Sequence, residues 1–250
     1  MSSKSSSSIP QVAPGNKAVS PPANSETEPE KGLPSMLPVL PLSDLVVFPF
    51  MVAPLLVTAK SSIQLIDEVV PGNRLLGLVL QKNPEMEEPS AKDLHEFGCA
   101  ARVLKMLKFP DDSVRVLVQG IKRIKILEYA TESSFLQARI APVEEEVEQG
   151  IELQALVRNA TKFFQQIITL SPNLPDELKV ALLNIEDPSK LADLIAANLA
   201  IPLPEKQNLL ETSSTKKRLS QLLNLLQKEL DVLQLGTEIQ NRVSSALSKS

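Results

Sequence analysis

The sequence contains one cysteine, Cys99, and one histidine, His95. A single cysteine excludes an internal disulfide framework and suits a reducing compartment. One thiol and one imidazole also leave a tetrahedral metal site short of ligands, so we expect no metal site. The two residues lie four positions apart, and a Cys–His nucleophile is conceivable if both face one side of a strand. Because no third residue is placed to orient them, we favour a core cysteine and a surface histidine, and we predict no catalytic residue.

Aromatic residues make up 3% of the chain, tryptophan is absent, and the net charge is −4. A nucleic-acid surface needs more positive charge and aromatic rings on which bases stack. Basic residues do concentrate in one region, which contains Lys105, Lys108, Arg115, Lys122, Arg123 and Lys125. We interpret them as a solvated strand face and expect no nucleic-acid partner.

An uninterrupted apolar run long enough to span a membrane is also missing. Residues 37–57 carry a single charge, Asp44, but four prolines interrupt the run at positions 38, 41, 49 and 54. Proline lacks an N–H and restricts the residue before it, so these residues predict extended chain and no membrane helix. No signal-peptide pattern is present, and the Ser-rich start has no arginine, so we predict a cytoplasmic location.

A nucleotide site is not expected either. Gly72 and Gly77 have the two-glycine spacing of a phosphate loop. Leu78 and Val79 follow where that loop requires lysine and Ser or Thr. We therefore predict no bound cofactor in this chain.

Composition divides the chain into segments. Residues 1–35 are rich in serine and proline, so we predict a disordered tail. The acidic run at 144–148 and Gly150 mark the point where the hydrophobic period becomes helical. We predict a β-rich unit at 36–148, a helical bundle at 149–235 and the start of a connecting helix at 236–250.

The β-rich unit is predicted to contain about six strands and one helix, in a mostly antiparallel, partly closed sheet or barrel. Gly120 is expected to separate two strands. The predicted extended segments are Val39–Leu42, Val46–Phe48, Ala53–Val57, Arg74–Gln81, Phe97–Leu107, Val114–Gln119, Ile121–Tyr129 and Phe135–Val143, and the helix is Ser61–Val70.

The second half shows helical spacing throughout. Asp187 followed by Pro188 is typical of a helix start, and Thr215 is predicted to cap a long helix that Gly236 interrupts. A leucine stripe on this helix has two open interpretations, a bundle core or a self-association surface. The predicted helices are Ile151–Leu170, Asp176–Asn184, one that begins after Asp187, a short one to Glu211, and the last from Thr215. The helical pattern continues to Ser250, so we expect the parent protein to continue.

Several segments resemble one family in the expected order. LPLSDLVVFPFMVAPLLV (40–57) resembles the opening motif of the amino-terminal domain of Lon, the ATP-dependent protease. VRVLVQGIKRIKI (114–126) is similar to its central strand pair. LSPNLPDEL (170–178), DPSKLADLIAANL (187–199), EKQNLLE (205–211) and RLSQLLNLLQKELDVLQL (218–235) are similar to its helical part.

The resemblance implies an α+β fold, with a PUA-like barrel followed by a helical bundle that ends in a long helix. It also implies a substrate-recognition region that binds unfolded or damaged proteins and helps a hexameric ring assemble. ATP, magnesium and the Ser–Lys catalytic pair would belong to ATPase and protease modules outside these residues. The alternatives are a stand-alone adaptor with the same domain and, as the weakest, an enzyme that uses Cys99.

Large apolar residues near turns are the candidate contacts for a polypeptide substrate. Phe48, Phe50 and Met51 flank the bend at Pro49, and Met106 and Phe109 approach a hairpin tip. Such residues are often buried by their neighbours. Exposed together, they would form a patch that suits an unfolded chain, and methionine adapts to varied partners.

Overall fold

A computed structural model describes residues 32–130, 134–146 and 148–247. From Pro34 onward the chain forms one compact unit. Its first half contains six strands, a helix and a short 3₁₀ turn at Ala91–Asp93. The strands are β1 (Met36–Leu42), β2 (Val52–Val57), β3 (Leu75–Leu80), β4 (Phe97–Lys108), β5 (Val114–Tyr129) and β6 (Gln137–Pro142), and α1 (Lys60–Val69) lies between β2 and β3.

The six strands form one sheet that closes on itself in part. Strand β5 pairs with β4 along one edge, while β2 and β6 pair with successive parts of its other edge. The ring β5-β4-β3-β1-β6 returns to β5, and β2 remains attached to β5 alone. Among the strands of the described residues, only β1 and β3 run parallel. The predicted mostly antiparallel, partly closed sheet is confirmed.

Gly120 lies inside a strand, so the predicted break there is wrong. β5 continues through it, and the pairing with β4 shifts register nearby, where Ala101 pairs with Gly120 but Ala100 with Lys122. A Cβ at Gly120 would overlap the carbonyl oxygen of Phe48. Glycine is therefore required at this position by the close approach of another backbone segment.

The extended segment predicted at Val46–Phe48 enters the core but is not a strand of the sheet. These residues are buried but have no strand partner among the described residues. Val47 packs into the core of the barrel, whereas Val46 and Phe48 pack into the core of the helical half. The segment thus joins two cores by alternating its side chains, as extended chain does.

The second half is helical, as predicted. Its helices are α2 (Ile151–Leu170), α3 (Glu177–Asn184), α4 (Pro188–Asn198), α5 (Leu203–Glu211) and α6 (Thr215–Leu247). The Asp187 side chain accepts a hydrogen bond from the Ser189 N–H at 2.8 Å, which confirms it as the cap of α4. The buried leucines of α6, which include Leu219, Leu222, Leu226 and Leu230, belong to the bundle core.

Two expectations for α6 are corrected. Thr215 is its first helical residue, and the cap is Ser214, whose hydroxyl oxygen accepts a hydrogen bond from the Lys217 N–H at 3.1 Å. Gly236 does not interrupt the helix, which runs to Leu247. One glycine costs a helix only about 1 kcal/mol, which is too little to end a long one. From Gln234 to Leu247 the helix is exposed on all sides.

The remaining organisational predictions are not decided. The predicted tail at 1–35 lies mostly outside the described residues. The boundaries at 148 and 235 stay predictions. Within the described residues, no helix combines the length and apolarity needed to cross a membrane.

Candidate functional site

Strand β2 exposes an apolar face. Its burial alternates strictly: Ala53, Leu55 and Val57 point into the core, while Val52, Pro54 and Leu56 face outward. Val52 is 50% exposed and Leu56 is 61% exposed. The period of two that strand geometry imposes therefore places half of an apolar segment on the surface.

Strands β5 and β4 extend this face. Pro54 pairs with Leu117, and Leu56 pairs with Arg115, which in turn pairs with Leu107. Leu107 is 64% exposed. We call Val52, Pro54, Leu56, Leu107 and Leu117 the outer apolar surface. Exposed basic residues, Arg102, Lys105 and Arg115, lie among them. Exposed apolar residues grouped on one face of a sheet, here interspersed with basic residues, are candidates for a binding site.

The residues predicted from the turns do not come together. Phe48 is fully buried, and Met51 and Met106 are partly buried against the cores. Phe50 and Phe109 are the exposed ones, at 54% and 36%. They lie near opposite ends of β2, which are about 20 Å apart at the usual rise per strand residue. The outer apolar surface occupies the space between them.

Phe50 has an unusual backbone conformation. The Met51 N–H donates to the Phe48 carbonyl at 3.2 Å, and Phe50 has φ 66°, so Phe48–Met51 forms a turn of type II geometry. Glycine usually takes this position because φ is positive there. The Phe50 ring is instead displayed outward, with the Lys190 ammonium 4.6 Å from its centroid. A strained, exposed aromatic residue of this kind is a candidate binding residue.

Phe109 lies at the tip of the β4–β5 hairpin. Its N–H donates to the Ser113 carbonyl at 2.9 Å, and the Arg115 guanidinium lies 5.0 Å from its ring centroid. Its position in the hairpin tip places it next to Leu107 and Leu56, at one end of the outer apolar surface. Of the predicted residues, Phe50 and Phe109 are therefore best placed to contact a partner.

A buried ionic network joins the two halves of the chain. Arg123, which we expected on a solvated face, is 1% exposed, as is typical of a core residue. Its guanidinium donates two hydrogen bonds to the Asp193 carboxylate of α4 in a bidentate ion pair, with 2.9 Å between Nη1 and Oδ2. It also donates to Glu145 at 2.5 Å and to the Leu210 carbonyl at 3.0 Å.

Arg218 of α6 completes this network. Its side chain donates to the Ser189 hydroxyl at 2.7 Å and to the Thr212 carbonyl at 3.0 Å. Its Nε lies 3.6 Å from Asp193 Oδ1. The two guanidinium groups and the two carboxylates of Asp193 and Glu145 balance in charge. The sequence pattern did not reveal this network, because its members are far apart along the chain.

The two carboxyl groups of the network respond differently to their surroundings. Burial acts to raise the pKa of Glu145, but the Ser189 hydrogen bond and the charges of Arg123 and Arg218 outweigh it, so the pKa lies below its ordinary value. Burial raises the pKa of Asp193 above its ordinary value, against the hydrogen bonds from Arg123. The contact with Arg123 is thus the main compensation for burying Asp193.

Cys99 is not placed to act as a nucleophile. It is fully buried, and burial raises the pKa of its thiol to about 12. A nucleophilic cysteine needs the thiolate, which this site disfavours. His95 Nδ1 lies 3.6 Å from a Glu211 oxygen. The described residues contain no group of three or more His, Cys, Asp or Glu that could hold a metal ion.

Comparison with known proteins identifies the family. Residues 36–228 match the family described as the ATP-dependent protease La (LON) substrate-binding domain. The chain is 37% identical to a Lon protease of Dictyoglomus thermophilum over 218 residues, which cover 87% of this chain and 27% of that protein. It is 40% identical to a Lon protease of Anaeromyxobacter dehalogenans over 241 residues, which cover 96% of this chain and 28% of that protein. The match thus spans about a quarter of each relative.

Solved structures agree in fold. The N-terminal domain of a Mycobacterium avium complex Lon protease aligns with a TM-score of 0.64 and 22% identity, over 77% of this chain and 98% of that one. A Lon N-terminal domain protein from Xanthomonas campestris aligns with a TM-score of 0.55 and 17% identity, over 76% of this chain and 97% of that one. The sequence match and the barrel-plus-bundle fold lead to one conclusion: this chain belongs to the Lon substrate-binding domain family.

Proposed function

We propose that this chain is the substrate-recognition region of an ATP-dependent Lon-type serine protease and binds unfolded or damaged proteins through the outer apolar surface. The family match supports the general role. The observation that carries the specific role is the display of Val52, Leu56 and Leu107 on one sheet face, each at least half exposed. Catalysis, ATP and magnesium belong to other modules of the parent protein, and this chain has no catalytic role of its own.

The chemistry of the outer apolar surface suits an unfolded chain. A native protein buries most of its large apolar side chains, whereas an unfolded one exposes them. Contact with exposed leucines and valines removes apolar area from water on both partners. Arg102, Lys105 and Arg115 on the same face favour segments that also carry acidic side chains.

The test measures binding to a permanently unfolded, reduced and carboxymethylated protein, with the native form of that protein as reference. The variant Val52→Ser/Leu107→Ser removes two apolar contacts. Burying half of each side chain against the partner contributes about 1 kcal/mol to the binding free energy. Loss of both contributions, about 2 kcal/mol, is expected to weaken binding of the double variant about 30-fold. Circular dichroism checks that the fold is retained.

The matched control is Val180→Ser/Leu183→Ser. These residues are 60% and 74% exposed on α3, away from the sheet. The control is expected to bind as the unchanged chain does. Equal losses in both variants, or equally poor binding of unfolded and native protein by the unchanged chain, would contradict the proposal.

We also propose that the exposed end of α6 helps the subunits of the parent protein associate into a ring, which we expect to be hexameric. Val232, Leu235, Ile239 and Val243 recur at helical spacing and are each more than half exposed. A helix that is apolar on one side and unsupported by its own bundle gains stability by packing on another helix. Replacing Leu235 and Ile239 with serine is expected to lower the number of subunits per assembly of the parent protein, measured by analytical ultracentrifugation. An unchanged number would contradict this role.

A further inference from the structure

A large cleft lies between β1 and β2, on the opposite side of β2 from β5. Its volume is about 1410 Å³, and its walls are formed by residues 39–45 and 54–59. Pockets for small molecules are typically about 300–1,000 Å³. The β1–β2 cleft is therefore larger than a small ligand requires, and residues 54–57 of β2 form part of its wall.

The strands on both sides of the cleft have unpaired edges. β2 pairs with β5 along one edge, and the described residues place no strand along the other. In β1, residues 36–38 pair with β6 and the Val39 N–H donates to the Leu136 carbonyl at 2.8 Å, so among the described residues only 40–42 have β3 as their sole partner strand. An unpaired strand edge offers backbone N–H and C=O groups to an extended chain that reaches it, except that Pro41 and Pro54 have no N–H and offer only their carbonyl groups.

The rim of the cleft is acidic. Four carboxylate residues line it, Asp44, Glu85, Glu87 and Glu88, against one basic residue, Lys60. In the described part of the chain, none of these carboxylates forms an ion pair with a lysine or arginine. The floor is apolar, because the buried side chains of Leu40, Leu42, Leu55, Val57 and Leu65 line it.

The acidic loop has a defined position. The buried Gln81 side chain donates hydrogen bonds to the carbonyl of Asn83 at 2.8 Å and to that of Met86 at 2.9 Å. At the other end of the loop, Ser90 and Asp93 form a reciprocal capping arrangement. These contacts hold the backbone of the loop that carries Glu85, Glu87 and Glu88 at the rim.

We infer that the β1–β2 cleft binds a basic, apolar segment of a protein substrate as an added strand along the free edge of β2. Main-chain hydrogen bonds to β2 would give affinity, the apolar floor would take alternate side chains, and the acidic rim would select lysine or arginine. This inference rests on the proposed function, since the occupant is part of a substrate. The cleft and the outer apolar surface share Pro54 and Leu56, but the charged residues beside them have opposite sign, so the two surfaces select different segments.

The test uses fluorescence anisotropy with the full chain and labelled peptides of alternating valine and lysine. A matched peptide has glutamate in place of lysine. We expect the lysine peptide to bind and the glutamate peptide to bind at least about tenfold more weakly, because several rim charges act together. Equal binding of the two peptides would overturn the inference.

A charge-reversal variant locates the binding. Glu87→Lys/Glu88→Lys is expected to weaken the lysine peptide about fivefold or more, since it removes two attractions and adds two repulsions. The control Glu186→Lys/Glu238→Lys makes the same change in net charge at exposed positions of the helical half. If both variants lose binding equally, the peptide is attracted by overall charge and the cleft is not its site.

N-methylated peptides test the strand addition. One peptide carries N-methyl groups on the odd residues and the other on the even residues, because an added strand presents alternate N–H groups to β2. For one of the two peptides, each methyl group that meets the edge of β2 is expected to weaken binding about fivefold or more. The other is expected to bind as the peptide without methyl groups does. Equal binding of both would overturn pairing with β2.

The proposed function and this inference fail separately. Leu107→Ser alters the outer apolar surface in β4, away from the cleft, and is expected to leave binding of the lysine peptide unchanged. If the unchanged chain binds the unfolded protein but not the lysine peptide, the cleft inference is wrong and the proposed function stands. If it binds neither, the proposed function is wrong as well.

Discussion

Replacing Asp193 with alanine tests the buried network most directly. Asp193 is 2% exposed and Arg123 is 1% exposed, so water does not solvate the charge of either side chain. The replacement removes both hydrogen bonds that Arg123 donates to the Asp193 carboxylate. It also removes the negative charge that lies 3.6 Å from Arg218 Nε. Two buried guanidinium groups then share one carboxylate, that of Glu145.

Breaking a buried ion pair by removing one partner typically costs about 3–5 kcal/mol, because it leaves a charge without compensation. Domains unfold with about 5–15 kcal/mol in total, so Asp193→Ala is expected to remove a large share of the stability. Urea denaturation followed by far-ultraviolet circular dichroism measures the loss. The signal suits this chain, which has no tryptophan.

An exposed ion pair provides the control. Asp176 lies 3.0 Å from Lys179 and its side chain is 84% exposed. Asp176→Ala is expected to cost no more than about 0.5 kcal/mol. Adding Arg123→Met to Asp193→Ala restores the balance of buried charge, so the two changes should be non-additive by at least about 1 kcal/mol. If Asp193→Ala costs under about 1 kcal/mol, or the two changes simply add, the account of the network is refuted.

Two further predictions concern the core and the backbone. Gly120→Ala is expected to lower the free energy of unfolding by about 1–3 kcal/mol because its Cβ would overlap the Phe48 carbonyl, whereas Gly236→Ala, where no atom lies within 4 Å, should stabilise α6 by up to about 1 kcal/mol. Denaturant titration of both variants checks this pair, and a neutral Gly120→Ala would contradict the close approach. Burial raises the pKa of Cys99 from 9.0 to about 12. Because the thiol ionises more readily in the unfolded chain, the stabilising contribution of the neutral Cys99 thiol is complete below pH 9.0 and is lost as the pH rises towards 12. Cys99→Ala should therefore flatten the fall in unfolding free energy over this range, and unchanged curves would contradict the effect.

The order and type of the secondary structure could be predicted from local patterns. Asp187 and Pro188 marked the start of α4, because the cap and the fixed proline φ act within a few residues. The change from strand to helical period after the acidic run at 144–148 likewise predicted helix α2, which begins at Ile151. Such signals depend on neighbours along the chain, so the sequence contains them.

The errors share one cause. Gly120 is a typical strand breaker, yet it lies within β5 because the Phe48 backbone passes directly over it. Thr215 and Ser214 are both good helix caps, and the distant Glu148 carboxylate, which accepts hydrogen bonds from the Ser214 hydroxyl and the Lys216 N–H, favours a helix that starts after Ser214. In each case the local pattern allowed two outcomes and a packing contact decided between them.

The sequence by itself determined that this chain folds as a barrel followed by a helical bundle, and its motifs identified the family. Only the tertiary structure decided which face of β2 is exposed, because the apolar residues VAPLLV suit either face until Ala53, Leu55 and Val57 pack into the core of the barrel. Only the tertiary structure also showed that Arg123 is a core residue, since its partners Asp193 and Leu210 lie 70 and 87 positions away along the chain. Burial and charge compensation depend on contacts between distant segments, and a local pattern carries no information about them.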